Sequence, residues 1–212
     1  MKFYWIKTPK VIAWFFNHFE WRVPTREKVV YLTFDDGPIP DITPFVLDTL
    51  KQYGAKATFF TIGANVVKHR DIFRAISKSG HAIGNHTFHH VKGWKTDYSA
   101  YLEEVRMCAE VIASGHPAEV KLMRPPYAKI TRKQANALQK LGYRIVMWDI
   151  LSADFDEKIS PKKCLENVIR NIRPGSIVIF HDSQKAWNNM KYALEGTLEY
   201  LKKNGYRCET LY

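Results

Sequence analysis

Two adjacent carboxylates close the apolar stretch YLTFDDGP, which runs from Tyr31 to Pro38. Successive side chains of a strand point to opposite faces and like charges repel, so neighbouring acids are unusual at the end of a strand. An Asx turn before Gly-Pro would explain one acid but not two. We expect the turn at Gly37 and Pro38 to free Asp35 and Asp36 from strict alternation. One carboxylate could then bind a metal ion and the other could act as a base.

A cluster of histidines lies in GNHTFHH, where four of the eight histidines fall between His81 and His90. The i, i+4 spacing of His86 and His90 predicts two imidazoles on one face of a helical turn, within reach of one ion. Two histidines and one carboxylate form a hydrolytic metal set with a position left for water and substrate. An isolated pair of this kind is more often a surface feature, but its place directly after a strand favours a metal site.

The elements that must position these side chains are strands and helices in alternation. Helix-like stretches separate seven apolar runs. Four of these stretches each end at a glycine suited to a left-handed cap, at Gly54, Gly80, Gly142 and Gly205. The predicted strands are Lys28–Phe34, Ala57–Ile62, His81–His86, Lys121–Pro125, Tyr143–Ile150, Ser176–His181 and Tyr206–Tyr212. Short strand-helix-strand connections predict right-handed crossovers and a mostly parallel sheet, as a closed barrel or an open wound sheet.

Ionisable residues collect at the carboxyl ends of five of these seven strands, whose bodies are largely apolar. They are Asp35 with Asp36, His86, Arg124, Asp149 and His181. In both candidate architectures this edge of the sheet carries the functional residues. A purely structural domain has no need of this arrangement, so the pattern predicts a site.

The composition bounds the class of protein. The chain has 212 residues, of which 46% are hydrophobic, enough for one α/β domain. The net charge is +11, but the basic residues are scattered and no nucleic-acid motif is present, so we expect no nucleic-acid partner. A solvated basic surface and contact with an anionic cell envelope both stay open. Three widely spaced cysteines argue against a disulfide framework and a cysteine zinc site.

Residues 1–27 are predicted to form an amphipathic segment packed on a domain that spans residues 28–212. The apolar stretch Val11 to Phe16 is too short for a membrane span or a usual signal peptide, and no cleavage site follows it. A peripheral membrane foothold is the second interpretation, because the segment is basic and aromatic. The compartment is left open between cytoplasm and envelope, and we expect a monomer.

Five short motifs in order resemble those of the polysaccharide deacetylases of carbohydrate esterase family 4, the NodB-homology domain. They are TFDDGP (Thr33–Pro38), HTFHH (His86–His90), RPPY (Arg124–Tyr127), LSADF (Leu151–Phe155) and IFH (Ile179–His181). The resemblance extends from about Lys28 to Tyr212. It implies a distorted, TIM-barrel-like (β/α)7 barrel of parallel strands, which agrees with the seven predicted strands.

The resemblance also implies a role for each matching residue. Asp35 matches the general base and His181 the general acid, and the metal ligands match Asp36, His86 and His90. Arg124 matches the arginine that pairs with the base carboxylate. The Tyr127 backbone N–H matches the oxyanion donor. The implied cofactor is one divalent ion, Zn²⁺ before Co²⁺ or Ni²⁺.

The fourth motif departs from the family's DxxDW, since Leu151 and Phe155 stand where an aspartate and a tryptophan are usual. The starting aspartate is credited with tuning the acid histidine, so the residue that orients His181 is open. Asp154, the surviving acid of the motif, is the first candidate and Asp149 the second, and a histidine that works without a carboxylate is the remaining alternative. Phe155 and Ile179 are expected to line the pocket for the acetyl group.

The expected activity is therefore metal-dependent removal of N-acetyl groups from a GlcNAc-containing polysaccharide, either peptidoglycan or a chitooligosaccharide. Two alternatives stay open. The same site could hydrolyse O-acetyl esters of xylan, since esters have easier leaving groups. The altered fourth motif would also suit an inactive carbohydrate-binding relic, although the intact ligand set and base argue against it.

Overall fold

The strand that precedes the two acids, β1 (Val29–Asp35), is the centre of a parallel sheet, and all seven of its residues are buried. The structure is a computed structural model that describes residues 4–116 and 121–211. On one side β1 pairs with β2 (Ala57–Thr61), and on the other with β7 (Ile177–His181). The register sets Asp35 directly beside His181, so the base candidate and the acid candidate end neighbouring strands.

The sheet has the order β5-β4-β3-β2-β1-β7-β6, and β8 pairs with the start of β1. The remaining strands are β3 (Ala82–Asn85), β4 (Leu122–Met123), β5 (Arg144–Ile145), β6 (Ile150–Leu151) and β8 (Arg207–Cys208). Every pairing between these strands is parallel. The predicted parallel, barrel-like α/β fold is confirmed as a curled half-barrel. Tyr212, the last residue of the seventh predicted strand, lies outside the described residues.

The single strand predicted over Tyr143–Ile150 is wrong in detail, because the chain forms two short strands there. The intervening segment crosses the open side of the sheet. The backbone N–H of Val146 donates to the carbonyl of Met123 at 2.9 Å, and that of Asp149 donates to Ile177 at 3.0 Å. This extended segment is thus hydrogen-bonded to β4 at its start and to β7 at its end, and these bonds curl the sheet towards a barrel.

The N-terminal segment runs alongside this crossing. The Leu151 N–H donates to the carbonyl of Ile6 at 2.8 Å, and the Thr8 N–H donates to Asp149 at 3.0 Å. After a short helix, α1 (Lys10–Phe15), the chain returns and Glu20 bridges to Val146. None of the residues of α1 is buried. The segment therefore packs through its two ends and leaves its helix outside.

Helices cover the sheet and are α2 (Ile42–Gln52), α3 (Gly63–Lys68), α4 (Arg70–Lys78), α5 (Tyr98–Ala113), α6 (Arg132–Lys140), α7 (Pro161–Ile169) and α8 (Trp187–Lys203). The stretch predicted as one helix before Gly80 is broken at His69 into α3 and α4. The glycines that follow α2, α4, α6 and α8 have positive φ, as the cap prediction requires. Phe34 stacks between Phe59 and Phe180 in the core beneath the helices. Within the described ranges no helix is long and apolar enough to cross a membrane.

Candidate active site

Asp36, His86 and His90 converge at the carboxyl edge of the sheet, where one ligand atom from each lies within 4.8 Å of the others. Asp36 Oδ1 is 3.8 Å from His86 Nε2 and 3.3 Å from His90 Nε2. This oxygen is buried and has no hydrogen-bond partner among the described residues. Leaving a buried carboxylate oxygen unpaired is costly, so the site calls for a positively charged group between the three side chains.

The tautomer of His86 is set by the hydrogen bond of one ring nitrogen. A carbonyl oxygen can only accept, so the 2.7 Å contact with Arg124 O makes Nδ1 the donor and leaves the Nε2 lone pair facing Asp36. Burial, followed by repulsion from His90, lowers the pKa of His86 to about 3. Burial also lowers the pKa of His90. Both rings stay neutral, which is the protonation state that binds metal.

These observations fit a divalent cation held by one carboxylate and two neutral imidazoles. The set leaves coordination positions for water and substrate, as in hydrolytic metal sites. The donor atoms are nitrogen and oxygen, which suit zinc and its neighbours in the first transition row.

The two histidines do not lie on a helical turn, so that part of the sequence prediction is wrong. Residues 86–90 form a bend in which Thr87 has φ 63° and His90 has φ 58°. The Asn85 side chain accepts from the Thr87 N–H at 2.9 Å, and the Thr87 hydroxyl accepts from the Val91 N–H at 3.1 Å. These short-range bonds hold the bend, and it brings the two ring centroids to 5.0 Å.

A left-handed residue likewise explains why both acids face the site. Asp35 ends β1 with its side chain inward, and Asp36 follows with φ 86°. That conformation breaks the alternation of the strand. The Asn65 amide donates to the Asp36 carbonyl at 2.7 Å, and Asp182 Oδ1 accepts from the Gly37 N–H at 3.0 Å, which fixes the turn.

Positive φ at residues other than glycine is concentrated around this edge of the sheet. Among the described residues, those with this conformation are Asp36, Asp41, Thr87, His90, Tyr127, Ala128 and Ala153. All but Asp41 fall in or beside the five motifs. Each such residue costs of order 1–3 kcal/mol, and strained backbone of this kind gathers at functional sites.

Asp35 is held by a guanidinium that is itself fully buried. Arg124 Nη1 donates to Asp35 Oδ1 and to the Thr33 hydroxyl, each at 2.7 Å. Its other donors reach the carbonyls of Val146 and Met147 at 3.2 and 2.9 Å. The buried charge is therefore paired and its fork is satisfied, as burial of arginine requires. Asp35 Oδ2 faces the candidate metal site, 3.7 Å from His86 Nε2.

His181 is held by Asp154 through two contacts. Asp154 Oδ1 lies 2.7 Å from His181 Nδ1, and Oδ2 accepts from the His181 backbone N–H at 2.7 Å. Burial pulls the pKa of His181 down, but the charge of Asp154 and its hydrogen bond outweigh that effect and raise the pKa to about 9. Nε2 is then a protonated donor at neutral pH.

Asp149, the other candidate to orient His181, is committed elsewhere. Its carboxylate pairs with Lys7 at 2.7 Å and Arg173 at 3.1 Å, and it accepts from the Ser176 hydroxyl at 2.7 Å. These partners lie at the amino ends of the strands and in the N-terminal segment. The structure brings Asp154 and not Asp149 to His181, because the chain turns at Ala153 after leaving β6.

Apolar side chains flank His181. The Phe155 ring meets the His181 ring edge to face at 5.3 Å, and Ile179 and Leu151 are buried in the same cluster. On the opposite side the Tyr127 ring lies 4.7 Å from that of His90. Tyr127 has φ 59°, so its peptide is turned out of the regular direction.

Three supporting residues were missed by the sequence reasoning: Thr33, Asn65 and Asp182. Thr33 could have been found, because it stands two residues before Asp35 and shares its face of the strand. Asp182 directly follows His181, and its carboxylate also accepts from the Thr43 hydroxyl at 2.5 Å. Asn65 carries no local signal, since only the fold brings α3 to the turn.

Comparison with known proteins defines the class. Residues 22–146 match the family model described as polysaccharide deacetylase. The chain is 35% identical over 193 residues to a peptidoglycan-N-acetylglucosamine deacetylase of Bacillus cereus, covering 90% of each. The chain therefore belongs to the polysaccharide deacetylase family, whose members are metal-dependent hydrolases.

Two further similarities bear on substrate and fold. A chitooligosaccharide deacetylase of Azorhizobium caulinodans is 34% identical over 166 residues, which cover 76% of this chain and 77% of the relative. The crystal structure of a peptidoglycan N-acetylglucosamine deacetylase in complex with 4-naphthalen-1-yl-N-oxidanyl-benzamide aligns with a TM-score of 0.89 at 32% identity. That alignment covers 96% of this chain and 95% of the other.

Proposed function

We propose that the protein is an N-deacetylase that converts N-acetylglucosamine units of a polysaccharide to the free amine, releasing acetate. One observation carries the proposal. Oδ1 of Asp36, which has no hydrogen-bond partner in residues 4–116 and 121–211, faces two neutral imidazoles. The carboxylate of Asp35, held by Arg124, and the imidazolium of His181, held by Asp154, flank this group. The printed names of the relatives, which are deacetylases of peptidoglycan and chitooligosaccharides, support this substrate class.

A divalent cation bound to Asp36, His86 and His90, which we propose to be Zn²⁺, would supply Lewis-acid polarisation of the acetyl carbonyl and acidify the attacking water. Asp35 takes the proton of that water at Oδ2, because Arg124 occupies Oδ1. The Tyr127 backbone N–H is proposed to donate to the developing oxyanion, and one such donor is typically worth about 3–4 kcal/mol.

His181 protonates the departing amine from Nε2. Its Nδ1 is engaged by Asp154, so the ring is oriented and charged before the C–N bond breaks. General acid catalysis of this kind contributes roughly 10²–10⁴-fold. Phe155 and Ile179 are proposed to exclude water from the acetyl methyl group.

The test is mass spectrometry of N-acetylglucosamine oligomers and peptidoglycan fragments after incubation with zinc-loaded protein. We expect the loss of acetyl groups from the sugar and an equal yield of acetate. Acetylated xylan in parallel separates an O-acetyl esterase from an N-deacetylase. Binding of glycans with no acetate released from any of them would show an inactive carbohydrate-binding protein and overturn the proposal.

We further propose a monomer that touches an anionic membrane surface through α1. Val11, Trp14, Phe15 and Phe16 are between 46 and 69% exposed. The first 26 residues contain five basic residues and a single acidic one, Glu20. Exposed aromatics on a basic segment suit the interface of anionic lipids. This contact supports an envelope-associated location.

Sedimentation with lipid vesicles tests this contact. The protein should bind phosphatidylglycerol vesicles and release them in high salt, and Trp14→Ala with Phe15→Ala should weaken binding. Tyr192→Ala, which removes a 49% exposed aromatic from α8, is the matched control. Equal binding by both variants would refute the contact, and sedimentation velocity gives the oligomeric state.

A further inference from the structure

A ledge of two aromatic rings, each covered by a lysine, adjoins the metal-binding histidines. We name it the cationic ledge and define it by Lys92, Trp94, Tyr127 and Lys129. Lys92 Nζ lies 4.4 Å from the centre of the Tyr127 ring, and Lys129 Nζ lies 3.8 Å from that of Trp94. Tyr127 is 53% and Trp94 61% exposed, although large aromatics are usually buried.

The ledge is built rigidly from two loops that the fold ties together. The Gly93 N–H donates to Lys129 O at 2.8 Å, and Trp94 Nε1 donates to Ile130 O at 2.9 Å. A side chain at Gly93 would meet Lys129 O at 2.5 Å, so this close approach requires glycine. The Gln134 side chain also donates to Gly93 O at 3.0 Å. A surface held in this way before binding loses little entropy on binding.

The ledge starts at the active site and carries only positive charge. Its first ring, Tyr127, lies against His90. Residues 90–96 and 127–133 contain no acidic residue, and their basic residues are Lys92, Lys95, Lys129, Arg132 and Lys133. The hydroxyl groups of a neutral glycan would accept weaker hydrogen bonds from these lysines, whereas a carboxylate on the sugar would form charge-assisted hydrogen bonds with them.

We propose that the cationic ledge is a glycan subsite for a sugar that carries a carboxylate and adjoins the N-acetylated unit. The exposed surface of the two aromatic side chains packs against the sugar, and the lysines bind its acid group. This inference rests on the proposed deacetylase function. It makes the preferred substrate an anionic acetylated glycan rather than a neutral polymer of N-acetylglucosamine.

The test compares peptide-free glycan fragments of peptidoglycan, whose sugars carry free carboxylates, with the same fragments after conversion of the carboxylates to amides. The wild type should have a higher kcat/KM on the carboxylated form, mainly through KM, and the ratio should fall with salt. The double variant Lys92→Gln, Lys129→Gln should bring the ratio of the two kcat/KM values towards one, a loss of about 3–10-fold for two exposed ion pairs. Trp94→Ala should raise KM for both forms and keep the ratio.

The matched control is Lys202→Gln. Lys202 also lies over an aromatic ring, that of Tyr53 at 5.9 Å, but near the carboxyl ends of α8 and α2, at the far edge of the sheet. It should leave the ratio unchanged. A wild-type ratio near one, or an equal loss in control and double variant, would overturn the ledge proposal.

The two proposals fail separately. Release of acetate with no preference for the carboxylated form would refute the ledge and keep the deacetylase. If no acetate is released, the deacetylase proposal fails, and calorimetric binding of the two fragment forms to the zinc-loaded protein replaces kcat/KM. Tighter binding of the carboxylated form that depends on Lys92 and Lys129 would still support the ledge, and equal binding would refute it.

Discussion

The histidines of the site fall into two groups that share a side chain and differ in charge. His86 and His90 face Oδ1 of Asp36, which has no hydrogen-bond partner within the part of the chain that the structure describes, and burial lowers both pKa values, to about 3 for His86. His181 is partly buried, with 17% of its side chain exposed, yet Asp154 raises its pKa to about 9. The difference lies in the partner of Nδ1, a neutral carbonyl for His86 and a carboxylate for His181. Burial without a carboxylate at Nδ1 keeps an imidazole neutral, as a metal ligand must be. Burial beside a carboxylate keeps it charged, as a proton donor must be.

We expect the largest effect on activity from substitutions of the two histidines that are proposed to bind the metal. His86→Ala or His90→Ala should lose the bound divalent ion and with it nearly all acetate release, because a set of three protein ligands cannot spare one. Loss of a group that merely supports a ligand already costs about 10–100-fold in metal affinity. Elemental analysis of purified protein, beside an activity assay, measures both.

His89→Ala is the matched control for these variants. His89 stands between the two ligands in sequence, but its ring contacts Glu104 at 2.8 Å on the exposed side. It should keep metal and turnover. Full metal occupancy in His86→Ala or His90→Ala would show that the ligand assignment is wrong.

Substitutions of Asp35 and Asp36 should separate catalysis from metal binding. Asp35→Asn should retain the ion and lose roughly 10²–10⁴-fold in kcat, the usual range for a lost general base. Asp36→Asn should weaken the binding of the ion, because Oδ1 of Asp36 faces both imidazoles. The measurement is metal content and kcat for each variant under the same loading. Equal loss of metal from both would mean that the two carboxylates share the ion.

The acid side should fail in a way that depends on the leaving group. His181→Ala should lower amide hydrolysis by roughly 10²–10⁴-fold while an activated aryl acetate, whose leaving group needs no proton, is hydrolysed at close to the wild-type rate. Metal content should be unchanged. The decisive measurement is the ratio of the two rates, and parallel loss on both substrates would argue against a proton-donating role.

Sequence reasoning reached the sheet and the convergence of the site because both rest on long-range regularities. Alternating strands and helices fix a parallel sheet, and its carboxyl edge gathers whatever follows the strands. It failed where single dihedral angles decide the outcome. The i, i+4 spacing identified His86 and His90 but not the bend at Thr87 that joins them. Strands of two residues, such as β5 and β6, are too short to be predicted from the alternation of apolar and polar residues.

The fourth motif favoured Asp154 over Asp149 as its surviving acid, but the sequence did not show how Asp154 reaches His181. Alternation places Asp149 and Leu151 on one face of an extended strand, which made Asp149 a fair candidate. The chain instead turns at Ala153, with φ 60°, and presents Asp154 to His181. Asp149 is drawn to Lys7, a contact that depends on the path of the N-terminal segment.

The smallest and most specific effect is expected from Asp154→Asn. The amide keeps the size of the side chain and can still accept one of the two hydrogen bonds from His181, but it removes the charge that keeps His181 protonated. A general acid is lost as pH rises through its pKa, so a lower pKa moves the alkaline limb of kcat/KM to lower pH, by about 1–3 units for one close opposite charge. A bound cation lowers the pKa of His181 in both proteins, so the quantity to measure is the difference in the alkaline limb between the wild type and the variant.

Asp156→Asn is the matched control. Asp156 lies in the same loop as Asp154, but its carboxylate accepts from the Tyr4 hydroxyl and does not contact His181, so this variant should leave the limb in place. If the limb stays where it is in Asp154→Asn with metal still bound, then the carboxylate does not set the charge of His181 during turnover, and the contrast between the two groups of histidines does not extend to catalysis.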